Sequence, residues 1–433
     1  MSDLSPRNRQ AMAPPSGMVP GPLQRLQRDL FASPLDGLIT LLLSALLLVG
    51  GWGLAGWLLQ RAQWAVIQAN ATLLAVGRYP LEQQWRLWLL TALLSLAAGL
   101  SWGALRGRRW PLADRAVAMA VLLLAAAGPA ALQLPPAIQG RWWALALLLL
   151  LARAAAGRCW AAALRRLPPA LRRAVPLLWP LLYLLGLLLI GGGLGLAPVP
   201  PSAWGGLLLT LLQASLAILL CLPLGLLLAL GRRSALPLLR WSSVLYIELI
   251  RGAPLITLLF LGQNILGFLL PGGLAPDRVW RAAWVLTGFA AAYVAEAVRS
   301  GLAALPPGQL EAARALGLPM HRALIHVVLP QALRVALPTL VGQFITLLQD
   351  TTLLSLIGLL DLLGVARTVL ANPAYLGRNA EVYLVLALLF WCCCAALGLG
   401  SRALERRLHP GPAAPTAAGG SLRSGSFRGA PSS

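Results

Sequence analysis

The stretch Gly205-Gly206-Leu207-Leu208-Leu209-Thr210-Leu211-Leu212-Gln213-Ala214-Ser215-Leu216-Ala217-Ile218-Leu219-Leu220-Cys221-Leu222-Pro223-Leu224-Gly225-Leu226-Leu227-Leu228-Ala229-Leu230 runs for 26 residues without a charged side chain. A bilayer core takes about 20 apolar residues in helical form, so this run reads as a membrane span. The rest of the 433-residue chain has the same character, with 58% hydrophobic and only 11% charged residues. Its mean hydropathy is +0.75. Soluble domains carry about 25% charged residues. The composition therefore excludes a soluble enzyme, a disordered chain and a secreted disulfide scaffold. The expected fold class is all-α, a polytopic helical membrane protein.

The same ruler finds about ten transmembrane helices, near 37–59, 87–105, 116–134, 142–158, 175–195, 205–230, 252–271, 282–300, 332–357 and 380–401. The net charge of +22 would point to nucleic acid in a soluble chain. Here the basic residues lie between apolar runs, so they set orientation and no nucleic-acid partner is expected. With the N-terminus inside, the cytoplasmic side collects 26 arginines against 8 outside. That excess satisfies the positive-inside rule and puts both termini in the cytoplasm. Residues 1–34 form a polar segment, 35–196 an N-terminal extension of about five spans, and 205–402 a second set of five. Residues 410–433, rich in Gly, Ser, Ala and Pro, read as a disordered tail. The Pro-rich stretch Ala197 to Ser202 is the best internal boundary. Spans 1 to 5 read as nearly free of ionisable groups and offer no site.

No lysine occurs anywhere, so all 35 basic residues are arginine. A Walker A phosphate loop and Schiff-base chemistry both need lysine and are excluded. Cys159, Cys221, Cys392, Cys393 and Cys394 lie in or beside apolar runs without His or acidic companions at ligand spacing. They read as packing, and no metal site is expected.

Between spans 8 and 9 the chain changes character. Pro306-Pro307-Gly308 breaks the preceding helix, and Gln309 to Leu316 forms a short helix of strong helix formers. Gly317 permits a positive-φ stop and Pro319 prevents continuation. A second short helix is expected to end at Leu329-Pro330. The pair makes a projecting knob, which composition alone does not distinguish from an ordinary interfacial hairpin.

The spacing within this loop is specific. Glu311-Ala312-Ala313, three residues, Gly317, nine residues, Val327, one residue, then Leu329-Pro330 resembles the EAA loop of bacterial ABC importer permeases, with Val327 where the family usually has Ile. Tyr246 to Leu255 (Tyr-Ile-Glu-Leu-Ile-Arg-Gly-Ala-Pro-Leu) resembles a segment of the polar-amino-acid branch, with Ala253 in place of Thr. Ala292 to Gly301 resembles its next motif, with Ser300 in place of Gly. Gln349-Asp350-Thr351-Thr352-Leu353 resembles the branch's Lys-Asp-Thr-Ser-Leu element, with Gln349 in place of Lys. Extra N-terminal spans resemble the longer permeases of general L-amino-acid systems. The resemblance implies that 205–402 is a type I importer permease core and that 301–330 is its coupling loop. It also implies a multi-pass protein of the bacterial inner membrane that imports amino acids without an ATPase site of its own. The implied partners are an ABC ATPase dimer carrying ATP and Mg²⁺, a second permease subunit (the same or a sister chain), a periplasmic amino-acid-binding protein and the lipid bilayer. No cofactor is expected on this chain.

Ionisable residues inside a membrane are costly and are functional candidates. Glu296, Asp350, Gln349, Thr351, Gln263 and Asn264 are the candidate substrate path, with Thr210, Gln213, Ser215, Gln343 and Thr346 nearby. An amino acid needs acceptors for its ammonium group, which Glu296 and Asp350 supply, and donors for its carboxylate. Structural alternatives stand beside each: Glu296 pairs with Arg299, Asp350 caps a restarting helix, and the amides join helices. Two other functions compete, an ion-coupled secondary amino-acid transporter and a non-transporting membrane scaffold. Either leaves the 311–330 loop without a task.

Overall fold

The computed structural model describes residues 30–31, 33–106, 110–131, 134–166, 177–269 and 276–408. The expected N-terminal segment lies almost wholly outside the described residues. The expected tail after Pro410 and the loop arginines Arg108, Arg109, Arg172 and Arg173 lie outside them altogether.

The chain divides into two compact units at Gln63 and Trp64. In the first, helix α1 (Pro34–Gly56) starts where the Ser33 hydroxyl accepts the Asp36 N–H, with Pro34 in the first turn. It ends in a π turn over Trp57–Arg61. Leu46, Leu47, Leu48 and Trp52 are all exposed, the surface of a helix that meets hydrocarbon rather than water.

The second unit holds α2 (Ala65–Val76), α3 (Gln84–Arg106), α4 (Leu112–Ala131), α5 (Pro136–Arg166) and α6 (Leu178–Gly191), followed by α7 (Gly206–Gly231), α8 (Pro237–Gly252), α9 (Leu255–Leu269) and α10 (Arg278–Ala303). Then come α11 (Gly308–Ala315), α12 (Met320–Ala323), α13 (Leu329–Asp350), α14 (Leu362–Leu370) and α15 (Asn379–Leu408). No strand occurs among the described residues, only isolated bridges such as Gly206 with Asp361. The all-α membrane fold stands.

Among the described residues, six helices are long and apolar enough to cross a membrane, or seven if the bent pair α8–α9 counts as one span. The sequence expectation is about ten, and the difference lies in particular elements. Expected span 252–271 is only the second arm of that pair, which turns by 110°. Ala253 at the bend is extended, as the residue before Pro254 must be. Expected span 175–195 yields the 14-residue α6. The 26-residue α10 is long enough, but Arg278, Arg281, Glu296 and Arg299 lower its apolarity.

One core is centred on α7, α10 and α13. Small residues set the crossings. A Cβ on Gly225 would meet Val294, and one on Gly301 would lie 2.4 Å from the Ala332 carbonyl oxygen. A second core joins Val66, Ile67 and Leu74 of α2 to Leu362, Val365 and Val369 of α14 and Val382 of α15. Here the backbones nearly touch, since a Cβ on Gly77 would sit 2.4 Å from the Gly205 Cα. A Cβ on Gly206 would sit 2.2 Å from the Leu74 carbonyl oxygen. The helix preceding α3 is thus built into the same packing as the C-terminal spans.

The expectation that spans 1 to 5 lack ionisable groups of interest is corrected at one place. Arg153 of α5 is fully buried and donates to Asp114 of α4 at 3.1 Å. Trp102 and Trp110 face its guanidinium at 5.5 and 4.6 Å. The pair and its aromatic walls satisfy a charge that hydrocarbon would not tolerate.

Candidate functional site: a loop, an arginine–glutamate cluster and a cavity

Three features along α10 and α13 bear on function. The first is the loop. α10 ends at Ala303, Pro306-Pro307 follows, and α11 carries Glu311, Ala312 and Ala313. Gly317 adopts φ +81°, with its N–H donating to the Arg314 carbonyl at 2.9 Å and the Leu318 N–H to Ala313 at 3.2 Å. This is the positive-φ stop expected from sequence. Ala313 and Ala323 are buried and fix the knob, while Glu311, Ala312 and Gly317 face outward. Gln331 Nε2 ties α13 back to Gln309 Oε1 at 3.3 Å.

The second short helix does not end at Leu329-Pro330, contrary to expectation. It continues through a π turn over Leu324–Val328 directly into α13. Pro330 has no N–H to bond back one turn, and its place in the first turn of α13 is where that loss costs least. Val327 is half-buried and Leu329 buried, so both serve packing, whereas Pro330 is exposed. The sequence reading missed the exposed apolar side chains of the knob. Leu316 is 84% exposed, and Met320 and Ile325 are exposed as well.

The second feature surrounds Glu296. Arg299 approaches its carboxylate from the next turn of α10, with Nε 2.9 Å from both oxygens. Arg232, which caps α7, and Arg251, in the last turn of α8, each stand 3.8 Å from Glu296 Oε2. Arg232 also binds Glu248 at 3.1 Å. Three helix ends therefore meet at one carboxylate, and cations at helix C-termini suit the dipoles there. The structural alternative for Glu296, a pair with Arg299, is present, so its carboxylate already has cationic partners.

The third feature is a cavity of about 290 Å³ lined by Leu255, Phe289, Tyr293, Gln343, Thr346 and Asp350, with Ala290 and Leu347. Of the candidate path residues it takes only Asp350, together with the nearby Gln343 and Thr346. The others lie elsewhere. Gln349 reaches Cys394 Sγ of α15 at 3.9 Å, and Thr351 is buried, donating to the Leu348 carbonyl at 2.6 Å. Gln263 joins α9 to α10 through the Arg278 carbonyl at 2.7 Å. Asn264 bonds its own helix at the Phe260 carbonyl. Thr210 accepts the Leu362 N–H, Gln213 donates to the Val279 carbonyl, and Ser215 meets Tyr183. Amides and hydroxyls in this fold mostly join helices. The aromatic walls Phe289 and Tyr293 were not singled out from sequence; their spacing of four on one helix face was the available signal.

At the far end of α10 the buried Asp361 caps α14, accepting N–H groups of Leu363 and Gly364 at 3.2 and 3.0 Å. Burial pushes its carboxyl up to about 7, against the smaller lowering effects of those two hydrogen bonds and of Arg367.

Comparison with known proteins gives the family. Residues 221–410 match the family model described as "Binding-protein-dependent transport system inner membrane component". The inner membrane amino-acid ABC transporter permease protein YhdY of Escherichia coli (strain K12) is 43% identical over 235 residues, which span 54% of this chain and 64% of that protein. The glutamate/glutamine/aspartate/asparagine transport system permease protein BztC of Rhodobacter capsulatus is 35% identical over 94% of this chain and 99% of its own length. A crystal structure of an amino acid ABC transporter with histidines aligns with 33% identity over 47% of this chain and 92% of that one, at a TM-score of 0.42. With α-helical spans, an EAA-spaced loop and a relative matched from end to end, the chain belongs to the permease proteins of binding-protein-dependent amino-acid ABC transporters.

Proposed function

We propose that this permease imports amino acids across the bacterial inner membrane and is driven by a separate ATPase that docks on the Glu311–Pro330 loop. The observation that carries this is that Leu316, Met320 and Ile325 of the knob are exposed while its Ala313 and Ala323 are buried. Exposed apolar side chains rimmed by polar groups mark a protein contact. Glu311 and Arg314 are exposed polar residues of the same knob. ATP and Mg²⁺ belong to the partner, since a chain without lysine cannot build a Walker A loop.

Residues 205–402 act as the permease core and 35–196 as an extension, with both termini cytoplasmic as the arginine distribution requires. A second permease subunit completes the translocation path, and a periplasmic amino-acid-binding protein delivers the substrate. Within the path, Asp350 accepts the substrate ammonium group in the cavity, with Gln343 and Thr346 as neutral polar neighbours. The relative BztC carries acidic amino acids and their amides by name. A cavity that recognises the ammonium group common to all of them fits that breadth.

The test is co-purification of the ATPase with wild type and with Glu311→Lys plus Gly317→Asp, which alter the knob and no membrane-spanning helix. Wild type is expected to retain a stoichiometric ATPase and the double variant to lose it. Uptake that follows an ion gradient, with no ATPase accompanying the wild type, would overturn the reading in favour of a secondary transporter.

A further inference from the structure

The cluster at Glu296 connects the loop to the cavity through residues one helical turn apart on α10. Tyr293 lines the cavity, and the Arg251 guanidinium lies 5.5 Å from the centre of its ring. The same Arg251 reaches Glu296 one turn further along α10 at 3.8 Å. Arg251 also stands just before the 110° bend between α8 and α9, and Leu255, the first residue beyond the bend, lines the cavity too. The rest of α8 is held independently. Tyr246 donates to the Gly288 carbonyl of α10 at 2.9 Å, and Ser243 packs against Gly231. The end of α8 therefore rests on α10 through Arg251, and eight residues past Glu296 α10 gives way to the loop.

We propose that the Arg251–Glu296 contact is a latch that holds the α8–α9 bend, and with it the cavity wall at Leu255 and Tyr293, against the loop end of α10. This inference rests on the coupling role given to the loop above. Movement of α11 displaces the end of α10, shifts Glu296 away from Arg251 and frees the bend. Glu296 keeps Arg299, which travels on its own helix, so the carboxylate is never left unpaired. Both partners of the latch are part-exposed, with side-chain exposures of 34% for Arg251 and 22% for Glu296. Contacts of that kind are weak enough to break and reform in every cycle. A fully buried pair would hold one state. The positions are conformational rather than substrate-binding, since neither side chain lines the cavity.

The test measures amino acid taken up per ATP hydrolysed by the purified permease–ATPase complex in proteoliposomes supplied with binding protein. Arg251→Gln is expected to lower this ratio at least fivefold, with ATP hydrolysis persisting without transport. Arg251→Lys, which keeps the charge, stays within twofold of wild type and separates loss of the contact from general damage. The double variant Arg251→Gln/Glu296→Gln is expected to be no worse than Glu296→Gln alone, because two residues acting through one contact are not additive. An unchanged ratio in Arg251→Gln, or effects that multiply in the double variant, overturns the latch. Wild-type uptake that needs no ATP overturns the coupling reading itself, a result visible before any variant is compared.

Discussion

Asp361 makes the fold of this permease sensitive to pH in a direction that follows from its surroundings. Its side chain is wholly buried and caps α14 with two hydrogen bonds. Burial raises its carboxyl from the ordinary 3.8 to about 7. The folded protein therefore holds a proton that the unfolded chain has already released. Between pH 4 and 7 the native state binds more protons than the unfolded one, so stability falls as pH rises and levels off above 7. At about 1.4 kcal/mol for each pH unit of difference, the total loss reaches up to about 4 kcal/mol. Asp361→Asn keeps an acceptor for the Leu363 and Gly364 N–H groups and removes the charge. Asp361→Ala removes the cap as well, at about 1–2 kcal/mol. Thermal unfolding of the purified protein from pH 5 to 8 is the assay. The wild-type midpoint should fall with rising pH, and the Asn variant should fall less and unfold at a higher temperature than wild type at pH 8. The Ala variant should match the Asn variant's pH slope at a lower midpoint. Parallel curves for wild type and Asp361→Asn would refute the reasoning.

Other outcomes follow from the packing and the cavity. Gly206→Ala places a Cβ 2.2 Å from the Leu74 carbonyl oxygen at a position with φ +59°, so it should destabilise the protein by about 3 kcal/mol or more through strain and overpacking, seen as a lowered unfolding midpoint. Asp114→Ala, which removes the carboxylate 3.1 Å from the buried Arg153 guanidinium, should destabilise the protein by about 1.5–3 kcal/mol, the range for a hydrogen bond to a charged group, seen as a lowered midpoint in the same assay. Asp350→Asn should raise the KM for uptake about tenfold or more while leaving ATPase co-purification intact, because it withdraws a charge from the cavity without touching the loop.

The Glu296 cluster shows why intramembrane carboxylates are ambiguous in sequence. Glu296 and Asp350 look alike along the chain, each set in an apolar run. Their environments differ because α7 and α8 bring Arg232 and Arg251 to the first, whereas the second opens into a cavity. Those arginines come from positions 64 and 45 residues upstream of Glu296, and no local pattern announces their meeting.

By itself, the sequence determined the membrane-helical class, because apolar length and low charge are local quantities with one physical solution in a bilayer. It also determined the loop, since Pro306-Pro307-Gly308, Gly317 and Pro319 act on their own backbones through missing N–H groups and the freedom of glycine at positive φ. Hydropathy did not reveal the bend at Ala253-Pro254 or the shortness of α6. Only the tertiary structure decided which polar residues face a cavity and which join helices. It alone placed α2 within the C-terminal packing, through Gly77, Gly205 and Gly206, and buried Arg153 against Asp114. Each of these depends on residues far apart in the chain approaching within a few ångströms, and contact at that range is fixed by helix packing, which no single stretch of sequence encodes.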